Sequence, residues 1–319
     1  MERVSDAEIV LVRELRDRTE TRQQHARAAL NGTEVRVAHG AYVGRAEWEG
    51  RDARERHLLR MVAYSRTRKR PPLFSHWSAA VAHCLPLIGP VPDRLHVSIG
   101  RTSGGRSAGA VAAHSTAIPD TDVVDIDGLR VTSLARTVVD VASMSTMADA
   151  VTIADCALRL GLPKTCVMDA WERAVPLRGH RRALDVIDFA DARSESPLES
   201  LSRVSMYRMG VAQPDLQLPF RDRRGLIGYV DFAWPSLGIV GEADGDAKYL
   251  DATMRNGRSA DRVVLDEKIR EDRLRALGLR VVRWRWEVAS RPRELASLLF
   301  AAGVPPRAPD DCGAALQLR

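Results

Sequence analysis

The sequence predicts an α/β chain, α+β overall, with a mixed front half ahead of a sheet flanked by helices. Three observations carry that expectation. Apolar residues recur at helical spacing in residues 9–15, 21–30, 134–143 and 148–160. Short strand-like runs bounded by turn residues occupy 35–43, 95–98, 110–112 and 123–131. From residue 194 the order becomes helix, three strands, helix, strand.

Composition narrows the function classes. A length of 319 residues suits two or three domains, and 45% hydrophobic residues are enough for a sizeable core. The net charge of +6 modestly favours a polyanionic partner. Cys84, Cys156, Cys166 and Cys312 form no CxxC pair, which argues against a zinc ribbon and a disulfide framework. No apolar run approaches the ~18 residues of a membrane span, and the N-terminus is charged throughout, unlike a signal peptide. A soluble, cytoplasmic protein with reduced thiols is the expectation. The eight histidines show no HExxH spacing, and His76 and His83 read as structural. The loop 100–109 is glycine-rich but lacks the GK[ST] ending of a phosphate loop.

In the front half, Ile9, Leu11, Val12 and Leu15 suggest a first helix, and a second ends at Asn31-Gly32. Val35, Val37, Ala41 and Val43 then form a hairpin turned at His39-Gly40. Residues 1–48 therefore resemble a degenerate winged helix; a small helical cap on the next domain fits the same pattern. Residues 51–70 form a basic helix with Leu58, Leu59, Met61 and Val62 on its apolar side, and Ser75 caps the next one. Asp127-Gly128 turns residues 123–126 into 129–131. On Ser78-Ala79-Ala80, the hairpin before Thr132-Ser133, and Ala135-Arg136-Thr137 with Asp140, residues 5–165 resemble the AbiEi-type antitoxins of type IV toxin–antitoxin systems. The resemblance implies a front half, 49–190 at its centre, that binds DNA or a protein such as a cognate toxin. The polar stretch 188–197 marks a boundary.

Beyond it, Ser196-Pro197-Leu198-Glu199 opens a helix with a capping serine, a proline at the first position and a glutamate at the third. Gly210 stops that helix. Strands at 216–220, 226–234 and 239–245 follow, then a helix at 261–277, a strand at 279–286 and a tail from 301. Asp231 lies on the second strand and Glu242 on the third, and two carboxylates meeting across such a hairpin suit one Mg²⁺ or Mn²⁺. Alternation gives Glu242 and Asp244 the same face. Three carboxylates around one hairpin are costly without a cation between them.

This element order, with Val230-Asp231-Phe232, Glu242-Ala-Asp-Gly245 and the helix 267–274, is similar to the Vsr-like branch of the PD-(D/E)xK nucleases over residues 194–295. The resemblance implies a restriction-endonuclease-like domain at 194–300 in which Asp231 and Glu242 hold the metal. It also implies that Glu199 is the helix carboxylate completing the site and that Asp244 supports it. The lysine expected two residues past Glu242 is replaced by Asp244. Of the chain's four lysines, Lys248 and Lys268 fall nearby, and Lys248 is the favoured partner. Lys268, Arg283 and Arg285 are candidate phosphate contacts, with solvated faces as the alternative. The sequence thus suggests a DNA-associated, metal-dependent endonuclease in a defence, toxin–antitoxin or repair setting. The alternative is a DNA-binding regulator or antitoxin whose nuclease fold is inert.

Overall fold

The structure is a computed structural model and describes residues 9–14, 18–100, 109–174, 179–245 and 260–308. In chain order the front elements are β1 (Val10–Leu11), α1 (Arg18–Leu30), β2 (Glu34–Ala38), β3 (Ala41–Gly44), α2 (Arg45–Glu49) and α3 (Ala53–Arg66). Next come β4 (Leu73–Phe74), α4 (His76–Ala82), β5 (Leu95–Ser98), β6 (Val111–His114), β7 (Val123–Ile126) and β8 (Leu129–Thr132). Four helices follow: α5 (Leu134–Met144), α6 (Met147–Arg159), α7 (Lys164–Arg173) and α8 (His180–Phe189). The remainder is α9 (Pro197–Arg208), β9 (Asp215–Asp222), β10 (Gly225–Trp234), β11 (Ile239–Ala243), α10 (Ala260–Ala276), β12 (Arg280–Trp284), α11 (Trp286–Ala289) and α12 (Pro292–Ala301).

These elements divide into two compact units, 1–146 with 161–187, and 147–160 with 188–319. The architecture is α+β in both, with mixed sheets and helices around them. Helix α6 folds with the C-terminal unit, where it packs on α9.

In the N-terminal unit, β1-β3-β2 form a small antiparallel sheet, and β6-β5-β4-β8-β7 form a mixed five-stranded one. The helix expected from Ile9, Leu11 and Val12 is replaced by β1 and a 3-10 turn at Val12–Glu14. Val10 and Leu11 pair with Tyr42 and Ala41, so the open edge of the β2–β3 hairpin captures a segment too short to hold a helix alone. Leu11, Val37 and Val43 share one apolar core with Leu59, Phe74 and Val97, so the hairpin is built into this unit. The turn between β7 and β8 has Asp127 at φ 50° and Gly128 at φ 78°, the left-handed pair that a two-residue hairpin requires.

A polar core lies behind that sheet. His57 donates through Nδ1 to Pro92 O and accepts at Nε2 from Ser78 Oγ, both at 2.9 Å. His76 stacks on His114 with centroids 3.6 Å apart, and His96 Nδ1 lies 2.9 Å from His114 Nε2. His83 Nε2 lies 2.7 Å from Thr132 O. Arg136, also buried, pairs with Asp140 at 2.8 Å.

The C-terminal unit is built on the sheet β12-β11-β10-β9. Its first three strands form an antiparallel meander, and β12 returns parallel to β11 after α10. The closing strand is shorter than the sequence suggests: it ends at Trp284, and Trp286 begins α11. Trp284 packs against α9, donating from Nε1 to Ser202 Oγ at 2.8 Å, and stacks on Phe232. Leu274 of α10 joins Val240, Val230 and Ile227 in an apolar cluster. Gly241 leaves room for the indole, since a Cβ there would lie 2.6 Å from Trp284 Cη2 and 3.2 Å from Phe232 Cβ. Gly241→Ala is therefore expected to destabilise this unit by about 1–3 kcal/mol. A urea titration read by tryptophan fluorescence checks this, and an unchanged midpoint would contradict the packing described.

Candidate active site

Helix α9 starts as its sequence dictates, with Ser196 at the cap and Pro197 in the first turn. Ser196 Oγ accepts the Glu199 N–H at 3.2 Å and donates to Glu199 Oε1 at 2.8 Å. Glu199 Oε2 accepts the Glu195 N–H at 2.9 Å. The helix start thereby fixes a buried carboxylate pointing back beyond its own N-terminus.

The meander supplies the next two acids. Phe232 pairs with Gly241, so one step further along the antiparallel register Asp231 stands opposite Glu242. Both are buried, at 9% and 4% exposure, an uncommon place for acids that do not share a positive partner. Asp231 Oδ2 accepts the Ala243 N–H across the strands at 2.7 Å. Gln217 of β9 spans the gap to α9, its Nε2 lying 3.0 Å from Glu199 Oε2 and 3.4 Å from Asp231 Oδ1. Gln217 sits at φ 52°, a left-handed conformation that costs a non-glycine residue about 1–3 kcal/mol.

Two arginines close the site on the side of α10. Arg270 Nη2 donates to Glu242 Oε1 at 2.9 Å, and its Nη1 to Glu267 Oε1 at 3.2 Å. Arg283 grips Asp244 with two bonds of 2.7 and 2.8 Å, and also reaches Glu267 and Glu271. Glu267 thus joins both arginines into one ion network.

Burial is the largest influence on the protonation of Glu199 and Glu242. Burial pushes the Glu242 carboxyl up to about 7, with Arg270 pulling it down and the Asp231 charge raising it again. Glu199 is also raised, first by burial and then by Asp231. Asp231 therefore lies within electrostatic reach of both neighbours.

Of the residues expected from sequence, Glu199, Asp231 and Glu242 are brought together. Asp244 shares their neighbourhood but is committed to Arg283. Lys248 lies outside the described residues. Lys268 is exposed on α10, two positions from Arg270 and so on a different face of the helix. Arg283 spends its guanidinium on three carboxylates instead of projecting to solvent, because β12 turns it toward Asp244 and the acidic side of α10. Arg285 is exposed and precedes α11. Sequence reasoning missed Gln217 and Arg270. Neither belongs to a motif, and 28 residues separate Arg270 from Glu242.

A divalent cation fits this donor set in a specific way. Among the described residues, no three acids, histidines or cysteines converge closely enough to cage an ion. Two facing carboxylates are what Mg²⁺ commonly takes from a protein, with water and substrate phosphate completing its octahedron. Asp231 and Glu242 would hold it, and the burial that raises the Glu242 carboxyl is a cost that a bound cation would offset.

No family model matches the chain. It is similar to two Mycobacterium tuberculosis proteins, "Uncharacterized protein MT2308" and "Uncharacterized protein Rv2248", each 34% identical over 119 residues. The match takes in 36% of this chain and 43% of each relative, so the chain spans less than half the length of the curated relatives it matches. Among the described residues, no helix is long and apolar enough to cross a membrane.

Proposed function

We propose that the C-terminal unit is a divalent-metal-dependent endodeoxyribonuclease of the Vsr-like PD-(D/E)xK kind. In this reading it serves a DNA-associated protein whose front half is AbiEi-like. The observation that carries the reading is Asp231 facing Glu242 across the β10–β11 hairpin, beside Glu199. The order α9, meander, α10, β12 supports it. Mg²⁺ or Mn²⁺ would supply a Lewis acid and an activated water. Asp231 and Glu242 would hold it with Glu199 as the helix carboxylate completing the site, and Gln217 links Glu199 to Asp231. A defence, toxin–antitoxin or repair setting suits the pairing, with DNA as substrate and a cognate toxin as a further partner.

Incubation of supercoiled plasmid with Mn²⁺ is the test. Wild-type protein is expected to nick it, and Asp231→Ala to do so at least ~100-fold more slowly, a loss typical of removing one transition-state-stabilising group. Equal nicking by both proteins, or none by either, removes the reading. One observation favours the alternative of an inert scaffold that binds DNA. Asp244, where the motif's lysine is expected, is locked to Arg283. A mobility shift in EDTA without any metal-dependent cleavage would support that alternative.

A further inference from the structure

A phosphodiester is an anion, and the site that would receive it is lined by carboxylates. Some positive side chain must offset that repulsion and the charge that builds on the phosphate during attack. Asp244 cannot do this, and Arg283 is taken by Asp244, Glu267 and Glu271. The guanidinium bonded to Glu242 itself is that of Arg270.

The fold is shaped to put it there. The β9–β10 ladder shifts register between Leu226 and Gly228. Gly228 has φ 151°, and a Cβ on it would stand 3.0 Å from Arg270 Nε and 3.7 Å from Cδ. The side chain of Arg270 therefore crosses the sheet where a bulge and a missing side chain make room. Its Nη2 also donates to Tyr229 O at 2.5 Å, which fixes the plane of the guanidinium. Arginine has five N–H donors. Glu242, Tyr229 O and Glu267 engage three of them, and the Nε–H and one Nη1–H make no hydrogen bond among the described residues.

We propose that Arg270 is the phosphate-contacting cation of this site, taking from helix α10 the role left vacant by the aspartate at position 244. The proposal rests on the nuclease reading above. In the hydrolysis it serves, water oxygen bonds to phosphorus and the P–O ester bond breaks. The attacking water loses a proton to solvent, and the leaving oxygen takes one from solvent. Arg270 neither gains nor loses a proton; it binds non-bridging oxygens as their charge grows.

The experiment compares single-turnover cleavage of an end-labelled DNA duplex by wild type, Arg270→Ala, Arg270→Gln and Arg270→Lys at saturating Mn²⁺. Mn²⁺ binding to each protein is measured separately by calorimetry without DNA. The rate of Arg270→Ala is expected to fall at least ~100-fold. The DNA concentration for half-maximal rate should change less than about fivefold, since the contact strengthens in the transition state. Mn²⁺ should bind as tightly as before or more tightly, because a competing cation has left Glu242. Arg270→Lys should recover at least about a tenth of the rate. Arg270→Gln keeps a donor without the charge, and should fail as the alanine does; it carries the test if the alanine variant does not fold. Cleavage by Arg270→Ala or Arg270→Gln within about threefold of wild type overturns the proposal. So does a loss of rate fully explained by lost Mn²⁺ binding, which makes Arg270 a holder of Glu242 only. Silence of the wild type with both Mn²⁺ and Mg²⁺ overturns the nuclease reading and this proposal with it, a result distinct from an active wild type matched by its arginine variants.

Discussion

Glu242→Gln is expected to stabilise the metal-free protein at pH 8 while abolishing the metal-dependent cleavage proposed for this site. Glu242 is 4% exposed, and its carboxyl is held up at about 7 by burial and by Asp231, against the pull of Arg270. A folded-state value above the unfolded 4.5 means that the native state binds the extra proton. The stability this group contributes is full below about 4.5 and is lost as pH rises through about 7. The shift is worth about 3 kcal/mol at pH 8, at 1.36 kcal/mol per pH unit. Glutamine keeps the shape of the protonated acid and escapes that loss. Urea titration at pH 8 in EDTA should therefore show the variant more stable than wild type, and the difference should vanish near pH 4.5. If the pair holds a cation as proposed, Mg²⁺ should stabilise the wild type and leave the variant unmoved. A variant no more stable than wild type in EDTA, or equally stabilised by Mg²⁺, would mean that the Asp231–Glu242 pair is not a cation site. Such sites commonly trade stability for activity in this direction.

The parts of the site that sequence reveals are those fixed by local rules. Ser196, Pro197 and Glu199 announce a helix start, and the turn at Gly238 follows a strand carrying Asp231 and precedes one carrying Glu242. Hairpin register depends on neighbours a few residues apart, so facing carboxylates are legible. Gln217 and Arg270 are not, for two different reasons. Gln217 owes its place to an unfavourable backbone conformation, which no propensity rule would assign to glutamine. Arg270 owes its place to a bulge on a strand 42 residues earlier, and nothing in a helix rich in arginine and glutamate marks one arginine from the next. The same limit governs the front unit. The β2–β3 hairpin is local and was readable, whereas β1 is a strand only because that hairpin has an edge to offer. The end of β12 at Trp284 is likewise tertiary. Trp284 is held by Phe232 and Ser202, and two residues later the chain has already entered α11.

Acidification from pH 7 to pH 4 is expected to unfold the N-terminal unit. His57, His76, His96 and His114 come from α3, α4, β5 and β6, so their convergence is invisible in sequence. Burial lowers His57 and His96 to about 4, helped by Arg60 and Arg54 on the first, and by His114, His57 and Arg94 on the second. His76 is also lowered, by burial, His114, His96 and Arg136, and His114 by burial and Arg94. For a base whose folded value lies below the unfolded 6.5, the unfolded chain takes up the proton first. The stability from His57 and His96 is present above pH 6.5 and is lost as pH falls through about 4, and that from His76 and His114 is lost in the same direction. His57 and His96 are each worth about 3 kcal/mol across that window. Asp140 acts in the opposite sense. Burial raises it to about 6 against the attraction of Arg136, so its protonation on acidification returns about 3 kcal/mol and offsets one histidine. The uncompensated histidine removes about 3 of the 5–15 kcal/mol that a domain typically has, and His76, His83 and His114 act in the same direction. Far-ultraviolet circular dichroism against pH should show helix loss between pH 6 and 4. In urea at pH 7, His57→Gln should cost stability by breaking the bonds to Pro92 O and Ser78, yet its stability should fall less steeply with pH than that of wild type. An unfolding midpoint in urea that stays constant from pH 7 to pH 4 would show that these rings are open to solvent and protons, and not the neutral, stacked core that the distances describe.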